Sequence, residues 1–288
     1  MSVVVPTHNR SALLARVLQS LETQTLDKFA YEVIVVDDGS TDETPETCRA
    51  AGQRARMNLI YIRASHLGPA AARNLGIAEA RGEIVAFTDD DCEAMDSWLE
   101  QISAPFNDAR IAGVEGKVVR HLDCTPFTHF VENLNGGQFL TANMAYRSET
   151  LRAVGGFDEI YPHAAAEDWD LAFRTLERGG LITFCPDAVV VHSPVPVSGR
   201  HFMDRVKERR SAVILYNRFP RYWQATTGRT MRRSFAEGIV MGPFVEVRKW
   251  RSYFWSHLFE LPRFLLWQVL ASARLLVEYV RLRRIALV

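Results

Sequence analysis

Short β-branched runs alternate with stretches whose apolar positions recur every three to four residues. Val3–Val5 is a strand on this pattern. Ser11–Thr23 follows as a helix, with Leu13, Leu14, Val17, Leu18 and Leu21 on one face. Tyr31–Val36 predicts a second strand, Pro45–Ala51 a short helix with Pro near its first turn, and Leu59–Arg63 a third strand. Pro69–Ala80 predicts an alanine-rich helix stopped by Arg81-Gly82. Ile84–Phe87 predicts a fourth strand that runs straight into Asp89-Asp90-Asp91.

This alternation predicts parallel strands covered by helices, with ligands beyond the carboxyl ends of the strands. Polar clusters fall at three of those ends: Thr7-His8-Asn9-Arg10, Asp37-Asp38 and the three aspartates. From about residue 110 the order is mixed. Gly113–Val119, Phe139–Tyr146, Leu181–Phe184 and Ala188–His192 read as strands. Ser148 reads as the cap of a short helix ended by Gly155-Gly156, and Glu167–Arg178 as a helix closed by Gly179-Gly180. The fold class expected is α/β, a Rossmann-like mixed sheet flanked by helices. Pro194 and Pro196 mark a change of character, which divides the chain into a catalytic domain, 1–199, and a basic, apolar helical extension, 200–288.

The chain has 288 residues, 48% of them hydrophobic and 24% charged. That excludes a wholly disordered chain, a collagen and a small disulfide scaffold. Net charge is zero, yet residues 1–199 carry 16 Lys and Arg against 28 Asp and Glu, and residues 200–288 carry 18 against 6. Cys48, Cys92, Cys124 and Cys185 form no CxxC pair, so a zinc site or disulfide framework is not expected and a reducing cytoplasm is. The chain opens on strand-like Ser2–Val5, which does not read as a signal peptide.

Residues 258–280 are strongly apolar but interrupted by Arg263, Arg274 and Glu278, and the uncharged run Phe264–Ala273 is too short to span a bilayer. At 100° per residue those charges and Arg281 share one stripe. The segment is either a helix packed on the body or an interfacial helix on an anionic membrane; Arg205, Lys207, Arg209, Arg210, Arg232 and Arg233 favour the second. No recognition motif accompanies the charge, so nucleic acid is not an expected partner.

Adjacent carboxylates at a strand end repel unless a cation joins them, so Asp89-Asp90-Asp91 suggests Mg²⁺ or Mn²⁺ on a diphosphate. Asp37-Asp38 reads as a turn before a helix cap, or as an acceptor for a base or ribose. Arg73 either faces the crevice to meet a base or phosphate, or forms a surface ion pair. Glu167-Asp168-Trp169-Asp170 suits a helix N-terminus and also supplies a candidate base. His192 is a structural histidine or a metal ligand.

Taken in order, Pro6-Thr7-His8-Asn9-Arg10, VIVVDDGSTDET (33–44), GPAAARNLGIAEARGEIVAFTDDD (68–91), TANMAYR (141–147), GGFDE (155–159) and EDWDLAFR (167–174) resemble the family 2 glycosyltransferases. The resemblance implies the A-type glycosyltransferase fold and an inverting transfer from a nucleotide-sugar, a UDP-sugar first among the donors. It implies that Pro6, Thr7, Asn9, Asp38 and Arg73 line the nucleotide pocket, Asp90 lies near the ribose, and Asn143 near the transferred sugar. Asp89 and Asp91 match the DxD metal pattern, His192 a position that completes the metal site in some members, and Asp168 the catalytic base.

Two departures narrow this expectation. Cys92-Glu93-Ala94-Met95 stands where polyprenyl-phosphate sugar transferases carry QHPP. No QxxRW follows residue 190, which argues against a processive synthase. The acceptor expected is a lipid-linked sugar or surface-glycan precursor, and the location the inner face of the cell membrane. The rivals are a sugar-phosphate nucleotidyltransferase, which would want a glycine-rich loop after the first strand, and a non-catalytic membrane-bound scaffold of the same fold.

Overall fold

The computed structural model describes residues 1–54, 58–161, 165–196, 208–228 and 248–283. The chain divides into two compact units, Met1–His121 with Phe130–Ser193, and Leu122–His129 with Pro194–Val288. The boundary expected between residues 199 and 200 lies outside the described residues, as do Arg205, Lys207, Arg232 and Arg233.

The first unit holds β1 (Ser2–Thr7), α1 (Ser11–Glu22), β2 (Glu32–Asp37), α2 (Thr44–Arg54), β3 (Asn58–Arg63), α3 (Pro69–Glu79), β4 (Ile84–Phe87), β5 (Cys92–Ala94), α4 (Trp98–Ser103) and β6 (Ile111–Arg120). In chain order β7 (Thr128–His129) belongs to the second unit, and β8 (Met144–Arg147), α5 (Ser148–Val154), α6 (Glu167–Glu177) and β9 (Leu181–His192) to the first.

One eight-stranded sheet runs β3-β2-β1-β4-β8-β6-β9-β5. The pairs of β1 with β2 and β4, and of β2 with β3, are parallel, and β8 enters antiparallel between β4 and β6. Alternation along the central strands feeds two cores. Val3, Val5, Val33 and Val35 pack with Leu14, Val17, Leu18 and Leu21 of α1 and with Trp98, Leu99 and Ile102 of α4. Val4, Ile34, Val36 and Phe87 pack with Ala70 and Ala72 of α3, Leu151 of α5 and Leu171 of α6. Strands buried on both faces explain the unbroken apolar runs.

The structure differs from the sequence pattern in four places. The two strands expected over 181–192 are one, and a register shift opposite Gly116 and Lys117 absorbs Pro186-Asp187-Ala188. The strand expected over 139–146 is confined to Met144–Arg147, because a 3₁₀ turn occupies Thr141–Asn143. Ser148 is the first helical residue rather than the cap, its hydroxyl donating to the Gly82 carbonyl. The short β5 and α4 had not been expected.

In the second unit, β7 pairs antiparallel with β10 (Val195–Pro196). The helices α7 (Glu208–Arg218), α8 (Pro220–Thr227), α9 (Arg251–Ser256) and α10 (Leu261–Arg283) follow. Phe264 of α10 is buried and meets Phe127 edge to face, and Phe127 also touches Trp267.

Candidate active site

In-register pairing of Thr7 with Asp37, and of Asp37 with Arg63, brings the carboxyl ends of β1, β2 and β3 to one level. The loop after β4 joins them. Thr7 donates its hydroxyl to Asp90 Oδ2 at 2.8 Å, and Arg10 Nη1 donates to Asp90 Oδ1 and to Asp91 Oδ2, each at 2.9 Å. Burial pushes the Asp90 carboxyl up to about 6, although Arg10 opposes the shift. Burial works against the Arg10 charge too, but Asp90 and Asp91 outweigh it and hold the guanidinium protonated.

The first turn of α6 closes the centre from the other side. Arg73, buried on α3, donates from Nη1 to Glu167 Oε1 and from Nη2 to Asp89 Oδ1, both at 2.9 Å. Its guanidinium also lies over the Phe157 ring. Arg73 Nε and Glu167 Oε2 are buried and find no hydrogen-bond partner among the described residues. Next to Glu167, Asp168 keeps a partly accessible surface although protein surrounds its carboxyl on most sides. Desolvation, then the Glu167 charge, pushes its pKa well above the ordinary carboxylate range.

Pairing of β5 with β9 sets Cys92 opposite His192, and Ser193 N donates to the Asp91 carbonyl at 2.7 Å. Asp91, Cys92 and His192, all buried, therefore each offer a ligand atom within 4.8 Å of the others. His192 Nδ1 faces the Ser193 carbonyl at 2.8 Å, which assigns the proton to that nitrogen in the neutral ring. Nε2 then turns a lone pair toward Asp91 Oδ1 at 3.4 Å, and two lone pairs so placed repel unless a proton or a cation lies between them. Burial raises the Asp91 carboxyl although His192 and Arg10 oppose the shift, so a further cation would ease the buried charge. Carboxylate suits Mn²⁺ or Mg²⁺ and imidazole suits a first-row divalent ion, so Asp91 with His192 fits a divalent ion such as Mn²⁺.

The remaining expected residues divide into two groups. Asn9, at φ +53°, stands exposed at the rim. Its amide oxygen accepts from Thr41 N at 2.7 Å, and its own N–H donates to Ser40 Oγ. Asp38 accepts from Leu67 N and Gly68 N at 2.7 and 2.9 Å, which fixes the loop that opens α3 and leaves acceptor capacity on each oxygen. Pro6 is half-buried in β1. Asn143 lies deeper and is fully buried. Its Nδ2 donates to the Lys117 and Ala188 carbonyls, and its Oδ1 accepts from Trp98 Nε1, so all of its donors are engaged inside the protein.

Sequence reasoning did not single out Arg10 or Cys92 as site members. Arg10 was visible inside the Pro6–Arg10 motif. Cys92 carried no signal, because its approach to His192 comes from strand pairing alone.

The profile of the family described as "Glycosyl transferase family 2" matches residues 2–159. The glycosyltransferase AglE of Haloferax volcanii is 30% identical over 206 residues, covering 68% of this chain and 67% of that protein. In this relative and four others the aligned stretch is 42–67% of the relative's own length. Among solved structures, the mannosyltransferase PcManGT from Pyrobaculum calidifontis in complex with GDP-Man and Mn²⁺ is 20% identical with a TM-score of 0.64, covering 97% of this chain and 86% of that one. S. aureus TarS 1-349 in complex with UDP-GlcNAc is 20% identical with a TM-score of 0.59, covering 97% and 91%. These two likenesses carry the fold, and the family match with the AglE alignment carries the kinship: this chain belongs to glycosyl transferase family 2.

Proposed function

We propose that this protein transfers a sugar from a nucleoside-diphosphate sugar to an acceptor hydroxyl in one displacement that inverts the anomeric carbon. The observation that carries the proposal is the Arg73 bridge. It ties Glu167, next to Asp168, to Asp89 of the acidic loop, so a candidate base and a candidate cation site face one centre. Asp168 accepts the proton of the acceptor hydroxyl while that oxygen bonds to the anomeric carbon; the bond to the diphosphate breaks and its electron pair leaves with the nucleotide. A carboxylate whose pKa is raised holds a proton more tightly, which makes it the stronger base. Asp91 and His192, with Asp89 alongside, would hold the divalent ion. When bound, that ion neutralises charge on the leaving diphosphate.

Pro6, Thr7, Asn9, Asp38, Asp90 and Arg73 shape the nucleotide side of the pocket, and Asn143 supports it from behind. A UDP-sugar is the first donor to test, as TarS is described with UDP-GlcNAc. A GDP-sugar is second, as PcManGT is described with GDP-Man. The acceptor is a glycan or lipid-linked sugar.

A melting panel of UDP-, GDP-, dTDP- and CMP-sugars, each with Mn²⁺ and with EDTA, tests this reading. One donor should raise Tm only when metal is present, by the logic that a ligand selective for the native state stabilises it. No stabilisation by any donor with metal would sink the proposal. Asp168→Asn should keep that donor stabilisation and lose transfer by about 10²-fold or more.

A further inference from the structure

The helix α10 has two apolar faces, and only one is packed. Phe264, Gln268 and Leu275 recur every four to seven residues on a buried stripe. Turning about the axis at 100° per residue, Leu265, Leu276, Val269, Ala273, Leu266, Val277 and Leu270 occupy a continuous sector on another side, and all are exposed. Leu266 is 56% and Val269 60% accessible, values that a lone surface leucine or valine needs no partner to explain but a whole sector does. Just upstream, Trp255, Leu258 and Phe259 add more exposed apolar surface.

The border of that sector is basic. Arg263 and Arg274 follow it on the helix wheel, and the Arg263 guanidinium stacks over both Phe127 and Trp267 at 5.1 and 4.6 Å, which holds its charge beside the apolar strip. Residues 200–288 carry 18 Lys and Arg against 6 Asp and Glu. Among the described residues no helix is long and apolar enough to cross a membrane.

We propose that α10 lies in the plane of an anionic phospholipid surface, its Leu265–Val277 sector sunk among the acyl chains and its arginine border at the headgroups. Two features together select this occupant. Positive charge alone would serve a nucleic acid equally well, but a nucleic acid offers nothing to a strip of leucine and valine. A strip alone would serve a second copy of the chain, but a second copy brings the same positive charge to the same border. An anionic lipid surface answers both.

The test is vesicle co-sedimentation of the full chain, which needs no enzymatic activity and so is separate from the donor-melting experiment. Vesicles of phosphatidylcholine alone are compared with vesicles that also hold phosphatidylglycerol, at low and high salt, for the wild type and for Leu266→Asp/Val269→Asp. Both substituted positions are exposed, and melting curves verify that the variant folds; Leu266→Ser is the milder second variant. The wild type should pellet with phosphatidylglycerol vesicles and weaken as salt rises. The aspartate variant should partition at least about tenfold less, and Arg274→Gln about fivefold less. The proposal is overturned by a wild type that stays in the supernatant with both vesicles, or by aspartate variants that pellet as well as the wild type. It is equally overturned by a dimer in solution that the aspartate variant splits, since that would make the strip a contact between copies.

Discussion

At the scale of single residues, the polar centre is a problem of charge compensation. Asp89, Asp90 and Asp91 are met by two arginines, Arg73 and Arg10, and each guanidinium serves two acidic partners. Among the described residues no such cation is bonded to Asp168, and its raised pKa means the native state keeps a proton that the unfolded chain has already lost. Stability therefore falls as pH rises from the ordinary aspartate range, about 4, toward the raised native value. Asp168→Asn removes that slope. Its Tm should match the wild type in acid and exceed it by about 2–4 °C at higher pH, as melting curves across pH will report.

Asn143 makes the opposite prediction. Asn143→Ala leaves the buried Trp98 Nε1 without its acceptor and removes the side-chain donor from the Lys117 and Ala188 carbonyls, which costs about 2–3 kcal/mol. The loss should appear in denaturant midpoints. The identities of these residues were legible in the chain; whether each carboxylate or amide had spare bonding capacity was not, because that depends on neighbours up to 94 residues away, as Glu167 is from Arg73.

At the scale of elements, the repeating strand–helix half was legible because each strand has a local helical partner and one period. The half after residue 110 was not, because backbone groups there are claimed by distant side chains. Glu115 is the clearest case. Its buried carboxylate accepts from Gly137 N, Gln138 N, Phe139 N and Asn133 Nδ2, and Phe139 sits at φ +51°. Those bonds hold the turn that leads into the segment expected as a strand over 139–146, and take its first residue, Phe139, out of extended backbone. Glu115→Gln replaces one acceptor oxygen by a donor facing N–H groups, and should cost about 2–3 kcal/mol while making the 133–139 segment the first site cut by a protease. On the same face of the sheet, α3 presses so close to β1 that a methyl at Gly76 would overlap the Val4 side chain. Gly76→Ala should destabilise by about 1–3 kcal/mol, against the gain expected for alanine in an open helix, and a denaturant titration distinguishes the two signs.

At the scale of the whole molecule, the acidic body and basic extension were plain from counting charges, and the two compact units follow nearly the same division. Chelation should act on the first unit. Mn²⁺ should raise Tm at neutral pH, and Asp91→Ala should abolish that rise while leaving the fold intact, as calorimetry with and without EDTA can show. The strand order carries a last consequence, one of timing. The bond from Ser193 Oγ to Glu93 joins residues 100 positions apart, and the pairing of β5 with β9 that it accompanies is what delivers His192 to Asp91. During synthesis the β1–β4 core can assemble from neighbours as they emerge, whereas the candidate cation pocket has no imidazole until β9 has left the ribosome. The Asp91, Cys92 and His192 cluster is therefore among the last features of the first unit to form, and the transfer proposed above waits on the whole sheet.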